Sequence, residues 1–245
     1  RSDLHARHMM AVTQLRQGRA QEAITALARL CAEAPRDGDI RAHHGLAQQS
    51  LGRYGAALAD FDQALALNPA AALALLYKGD LLLELGRAGD AMASYDRLVR
   101  IAPGFDDGWF RRGLALWALD RAEDALASYR ACFQCNPSRF GAVFNCGTAL
   151  LKLERYDEAL AAFEQARALA PDHPYLLGAT AGAVLGGCDL ERWPDHQQRL
   201  IAAVRQGRAV VPPLTFMPFC DDEGLRRTCS AAFVADRLPL NPAPL

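Results

Sequence analysis

A chain of 245 residues carrying 27 basic and 28 acidic side chains, formal charge -1, has no excess positive charge for a phosphate backbone, which excludes a nucleic-acid partner. Its 51% apolar and 22% charged composition is that of a soluble folded protein, and no run of 18 apolar residues is present to cross a membrane. Seven cysteines, an odd count without extracellular spacing, suit a reducing cytoplasm better than a disulfide framework. Cys132 and Cys135 have metal-ligand spacing but lack a second pair nearby, so no metal site is expected. The segment Arg1–Met10 is polar, without the apolar stretch of a signal peptide. The chain begins inside a repeat without an initiator Met and so reads as a piece of a longer protein.

The first elements follow from one interval. Prolines recur at positions 35, 69, 103, 137 and 171, a step of 34 residues. Small residues keep the same step (Ala11, Gly45, Gly79, Gly113, Gly147, Ala181), as do alanines (Ala23, Ala57, Ala91, Ala125, Ala159) and large apolar residues (Leu27, Phe61, Tyr95, Tyr129, Phe163). This resembles the tetratricopeptide repeat, a helix–turn–helix hairpin that cannot bury its apolar face alone and must stack on its neighbours. Five units are predicted over 4–37, 38–71, 72–105, 106–139 and 140–173, with a sixth first helix over 174–186. The implied fold is all-α, a right-handed superhelix of eleven repeat helices followed by a helical cap and linker.

The fifth unit shows how each hairpin is made. Phe140 to Leu151 places Val143, Cys146, Gly147 and Leu150 on one stripe at steps of three and four. Gly147 is expected to mark a close approach of the facing helix, the reason given also for Ala159. Glu154 and Arg155 make the turn, with Tyr156 packing beneath it. The second helix, Asp157–Leu169, is stopped by Pro171, which lacks a backbone donor. Glycines at 18, 52 and 86 serve the same turn in the first three units, whereas Asp120 and Glu154 stand there later, so the turn is read as tolerant of ordinary residues.

First helices supply the concave face of such a stack. There Leu76, Tyr77, Phe110, Trp117 and Phe144 form an apolar line without an obligatory role in the hairpins, mixed with Arg111, Asn145, Asp80 and Lys152. We read Tyr77, Phe110, Arg111, Trp117, Phe144 and Asn145 as a groove for protein or peptide clients. The alternative is packing of Phe110 and Trp117 between adjacent first helices or against a second copy in a homodimer.

From Gly186 the period breaks. Residues 187–245 are predicted as a helical cap with helices near 195–206 and 221–235. An irregular apolar linker, Val210–Phe219, lies between them, and a proline-rich exit spans Leu238–Leu245. A terminal hairpin needs a cap. Val211, Leu214, Phe216, Met217 and Phe219 are nevertheless many apolar residues for a segment with little core of its own, and they suggest a following domain. Cys188-Asp189, Trp193, the helix to Val204, Gly207, Pro212-Pro213 and Leu225–Phe233 resemble the segment joining repeats to catalytic domain in the protein O-linked N-acetylglucosamine transferase and SPINDLY family. Leu190-Glu191-Arg192 stands between Asp189 and the tryptophan, where that family has them adjacent.

The resemblance implies a UDP-sugar-dependent protein O-glycosyltransferase beyond residue 245, for which this chain is the client-recognition arm. The chain itself shows no phosphate-binding loop and no strand–helix alternation, so no catalytic residue and no cofactor are expected within it. That family lines its groove with asparagines; here the matching position holds Met9, His43, Tyr77, Arg111, Asn145 and Ala179, and only Asn145 agrees. Two other readings stand beside it: an arm of a different enzyme, and a free-standing scaffold or adaptor. The adaptor reading predicts that 210–219 folds back on the final helix.

Overall fold

In a computed structural model the protein is described over residues 2–208 and 210–237. The predicted proline-rich exit, Leu238–Leu245, lies outside the described residues. Two compact units, Arg1–Arg121 and Ala122–Leu245, make up the chain. The first holds α1 (Ser2–Arg16), α2 (Ala20–Glu33), α3 (Gly38–Ser50), α4 (Tyr54–Leu67), α5 (Ala72–Glu84), α6 (Ala88–Ile101) and α7 (Asp106–Ala118). The second holds α8 (Ala122–Cys135), α9 (Phe140–Lys152), α10 (Tyr156–Leu169), α11 (Leu176–Gly186), α12 (Trp193–Arg205), α13 (Pro213–Phe216), a 3-10 turn (Met217–Phe219) and α14 (Glu223–Arg237). The architecture is all-α, with the helical C-terminal region that the sequence predicts.

Second helices end for one reason. The residue before each proline makes the last intrahelical bond, as in Ala34 to Leu30, Asn68 to Ala64, Ala102 to Leu98, Asn136 to Cys132 and Ala170 to Ala166. The proline that follows has no N–H to continue the ladder. Within the second, third and fifth hairpins a ring from the second helix lies on bare backbone of the first. A Cβ at Gly45 would sit 2.7 Å from the Phe61 ring, at Gly79 2.5 Å from Tyr95, and at Gly147 2.5 Å from Phe163. Phe61 and Tyr95 are 0% exposed and Phe163 1%. The facing helix does come close at Gly147, and it is its Phe163 ring that takes the space.

The hairpin turns share a left-handed residue. Gly18, Gly52 and Gly86 have φ of 76°, 72° and 72°, and Asp120 and Glu154 adopt 60° and 58°. The turn thus accepts an ordinary side chain, as read from the sequence, but keeps its conformational demand where one occupies it. Left-handed φ costs an L-residue roughly 1–2 kcal/mol, partly offset by the greater freedom glycine has in the unfolded chain. Glu154→Gly is therefore expected to stabilise the protein by about 0.5–1 kcal/mol. A thermal melt checks this, and a lower midpoint than the parent's contradicts the turn assignment.

Past α11 the second unit closes on itself. Val210, Val211, Phe216 and Phe219, each 0–1% exposed, form one core with Ala181 of α11, Leu200 and Val204 of α12 and Cys229 of α14. Trp193 stacks on Phe219 with ring centroids 4.5 Å apart. The Cys229 thiol donates to the Val211 carbonyl at 3.5 Å, Gln197 Nε2 to the Phe219 carbonyl at 2.8 Å, and Arg226 Nε to the Cys220 carbonyl at 2.8 Å. Val210–Phe219 is not an irregular linker waiting for a second surface. Its residues Val210, Val211, Phe216 and Phe219 are an inner layer of this chain's own cap, while Met217 is exposed. Pro212, extended at φ -61° and ψ 143°, sets the chain direction and Pro213 starts α13, where a missing donor has no cost.

Candidate client-binding faces

In the first unit, side chains from successive first helices touch one another. His8 Nε2 of α1 lies 3.1 Å from His43 Nδ1 of α3, and the rings meet edge to face at 4.9 Å. His43 in turn meets Tyr77 of α5 at 5.8 Å, and Tyr77 leans on Phe61 at 6.2 Å. His43 Nδ1 also lies 2.9 Å from the Asp39 carbonyl, which only accepts, so that nitrogen carries the proton. Burial holds the His43 and His8 rings below the ordinary histidine value, and for His8 the neighbouring His43 adds to the effect.

This arrangement sets a pH dependence. Unfolded histidines titrate near ~6.5, whereas these folded ones titrate lower, so the unfolded chain binds more protons as the pH falls through that value. Their contribution is complete above the ordinary value and is lost between it and the lower folded values. The melting midpoint is expected to fall on acidification from neutral pH through this window, and His43→Gln is expected to flatten the decline. A midpoint that rises on acidification contradicts the assignment.

Farther along the same unit, Asp80 of α5 accepts from the Tyr95 hydroxyl at 2.7 Å, and Arg111 Nε of α7 lies 3.4 Å from the same oxygen. Burial raises the Asp80 carboxyl above its usual range, while the Tyr95 hydrogen bond and Arg111 pull it back. Arg111 is thus oriented by Asp80 while 42% of its side chain stays accessible. Phe110, Trp117 and Tyr77 are half-buried. Leu76, read from the sequence as part of an exposed line, is 7% exposed and belongs to the core.

The second unit carries its own aromatic group. Phe140 and Phe144 of α9 stack at 5.5 Å, and His173 in the α10–α11 turn meets them at 4.4 and 5.2 Å. Phe144 also rests on Phe163 at 5.7 Å. Asn145 is engaged by a hydrogen bond with the Tyr129 hydroxyl, whose residue is 1% exposed. Phe144 and Asn145 are themselves half-buried. The amide that matches the family's asparagine position is thus partly used inside the hairpin. Sequence reasoning missed Phe140 and His173, since their meeting depends on how the α10–α11 turn folds over α9. It also missed the His8–His43 contact, whose signal was two histidines facing each other from neighbouring first helices.

Cys132 is buried and Cys135 exposed, and burial pushes the Cys146 thiol up to about 12. Among the described residues no group of three His, Cys, Asp or Glu is placed to hold a metal ion, and no helix is long and apolar enough to cross a membrane.

Tetratricopeptide-repeat family models match residues 5–37, 43–104, 106–139 and 141–173. No curated protein sequence matches the chain. Solved structures with a similar fold include YrrB, described as a TPR protein with an unusual peptide-binding site, at 19% identity over 87% of this chain and 98% of its own, TM-score 0.64. PilF of Pseudomonas aeruginosa matches at 16% identity over 80% and 90%, TM-score 0.70. MamA of Desulfovibrio magneticus RS-1 matches at 21% identity over 69% and 96%, TM-score 0.59. At these identities the likeness is one of fold. It nevertheless overturns the expectation of a recognition arm for an appended UDP-sugar-dependent glycosyltransferase. Each of these solved chains is matched over 90% or more of its length, and none is described as a glycosyltransferase.

Proposed function

We propose, for a chain that belongs to the tetratricopeptide-repeat family, the role of a non-enzymatic adaptor that holds polypeptide clients on the inner faces of its first helices. The observation that carries this reading is the burial of Val210, Val211, Phe216 and Phe219 in the chain's own core. Val211, Phe216 and Phe219, from the apolar surface that spoke for an arm awaiting a catalytic domain, are consumed by α11, α12 and α14, while Met217 is exposed. The elements resembling a transferase linker have packing roles here: Trp193 covers Phe219 and Pro213 opens α13.

Tyr77, Phe110, Arg111 and Trp117 in the first unit, and Phe144 and Asn145 in the second, are the contacts we assign to clients. Half-buried aromatics and an arginine held by a carboxylate lose little side-chain freedom on binding, which is why such residues dominate interfaces. A similar fold that has a peptide-binding site supports the class of ligand. Free thiols, with Cys132, Cys146, Cys220 and Cys229 buried, support a reducing compartment, the cytoplasm.

The test is selection of binding peptides from a displayed random library, followed by amide hydrogen exchange of the full chain with and without the best peptide. Added protection is expected on α5, α7 or α9. Protection confined to second helices, or a library that yields no binder, overturns the proposal.

A further inference from the structure

Cations along the second helices are in several places settled locally. In the first unit Lys78 pairs with Asp62 at 2.6 Å and Arg112 with Asp96 at 2.7 Å, and the Arg97 guanidinium donates to the Pro69 carbonyl. In the second unit Arg130 pairs with Glu158 across α8 and α10 at 3.0 Å. The groove between α10 and α12, floored by α11, is different. Its cavity of about 520 Å³ is lined by Arg167, Arg192, Arg199 and Arg208, by His173 and His196, and by only two acids, Glu164 and Asp172. At the register position of Lys78 and Arg112, α11 has Thr180, whose hydroxyl is spent on the Leu176 carbonyl at 2.8 Å.

Among the described residues the side chains of Arg167 and Arg208 have neither an ion pair nor a hydrogen bond. Arg199 and Arg192 have only partners on their own segment, exposed Asp195 at 3.4 Å and half-buried Asp189 at 3.6 Å, and pairs of such exposed arginines hold a charge weakly. His173 Nδ1 is buried without a partner. Phe163, Leu176, Leu177 and Ala203 supply an apolar floor.

We propose that this cleft is a second binding site, separate from the inner faces, and that it takes a short acidic peptide segment with interspersed apolar side chains. The carboxylates would meet arginines contributed by α10, α12 and the residues following α12, and the apolar side chains would meet the floor. Arginine matches a carboxylate in a planar two-bond geometry, and the volume lies in the range of small-ligand and peptide pockets. A nucleic acid is disfavoured because the four arginines sit in one short cleft of a chain whose formal charge is -1, where a backbone needs an extended basic face.

The experiment is a fluorescence-anisotropy titration of the full chain at physiological salt. Its probe is a fluorescein-labelled peptide of alternating glutamate and leucine, compared with the same peptide carrying glutamine for glutamate. The glutamate peptide is expected to bind at least about tenfold tighter, and raised salt to weaken it. Arg167→Glu with Arg208→Glu, both at exposed positions, is expected to weaken binding by more than about tenfold, with an unchanged melt. Arg167→Gln alone is expected to weaken it less, and it carries the test should the double variant melt early. Trp117→Ala is expected to leave this affinity intact, which separates this site from the inner faces. Equal binding of the two peptides, no binding, or indifference to Arg167→Gln and the double variant overturns the proposal. So does displacement of the peptide by inorganic phosphate or oligothymidylate at matched concentration.

Discussion

Gly178→Ala is expected to undock the cap from α11 and to expose Val210 to Phe219 to solvent, although it adds only one methyl group. A Cβ at that position would lie 2.4 Å from the Val210 carbonyl oxygen and 2.9 Å from the Val211 Cβ. The nearest atom is backbone, so no rotamer change relieves the clash and the segment must move as a whole. Moving it uncovers Val210, Val211, Phe216 and Phe219. Each large apolar side chain is worth about 1.5–3 kcal/mol when fully buried, so local stability is expected to fall by roughly 3 kcal/mol or more. Amide exchange across α12 to α14 reads the loss directly. Gly182 lies on the same helix with nothing within 4 Å of its would-be Cβ, and Gly182→Ala is expected to stabilise by about 0.5–1 kcal/mol through helix propensity. If the two alanines behave alike, the cap is not docked as described.

Phe163→Ala is the second large effect, a loss of about 3–5 kcal/mol for an aromatic ring removed from a packed site. The ring touches Gly147 backbone on one side and supports Phe144, at 5.7 Å, on the other. Gly147→Ala alone would press a methyl to within 2.5 Å of that ring and cost about 1–3 kcal/mol. In the double variant the new methyl enters space the ring has vacated. The combined loss is expected to be smaller than the sum by at least about 1 kcal/mol. Strict additivity in denaturant melts of the four proteins would show that ring and glycine do not share one site.

These two sites mark how far the sequence can be read. The recurring prolines and small residues carried the all-α repeat fold because each has a local backbone cause that acts wherever the residue stands. The identity of what fills a gap was beyond that logic. Gly147 signalled a close approach, but which partner came close, a ring or a helix backbone, depended on packing in three dimensions. The aperiodic stretch from Val210 to Phe219 has neither the helical nor the strand period, so its apolar residues looked unpartnered until α12 and α14 were seen around them. Leu76 and Tyr77 are neighbours with the same apolar character, yet one is in the core and the other half-exposed, since the difference is a rotation about α5. The positive charge of the last groove was invisible for a related reason. Arg167, Arg192, Arg199 and Arg208 are scattered along the chain and balanced by acids in its composition, and only folding collects them.

The central claim, that clients are held by inner-face side chains separable from those that hold the repeats together, is tested most directly by one paired titration. A peptide selected against the intact chain is titrated into the parent, Trp117→Ala and Tyr156→Ala, with a melt of each protein. Tyr156 is placed as a structural residue, since its ring occupies the space that a Cβ at Gly186 would enter at 2.3 Å. The prediction is that Trp117→Ala weakens binding about tenfold or more, roughly 1.4 kcal/mol, with an unchanged melt, while Tyr156→Ala lowers the melt and leaves affinity in place. A Trp117→Ala protein that loses its fold and shows no loss specific to binding would contradict the claim and make the aromatic line part of the packing between repeats.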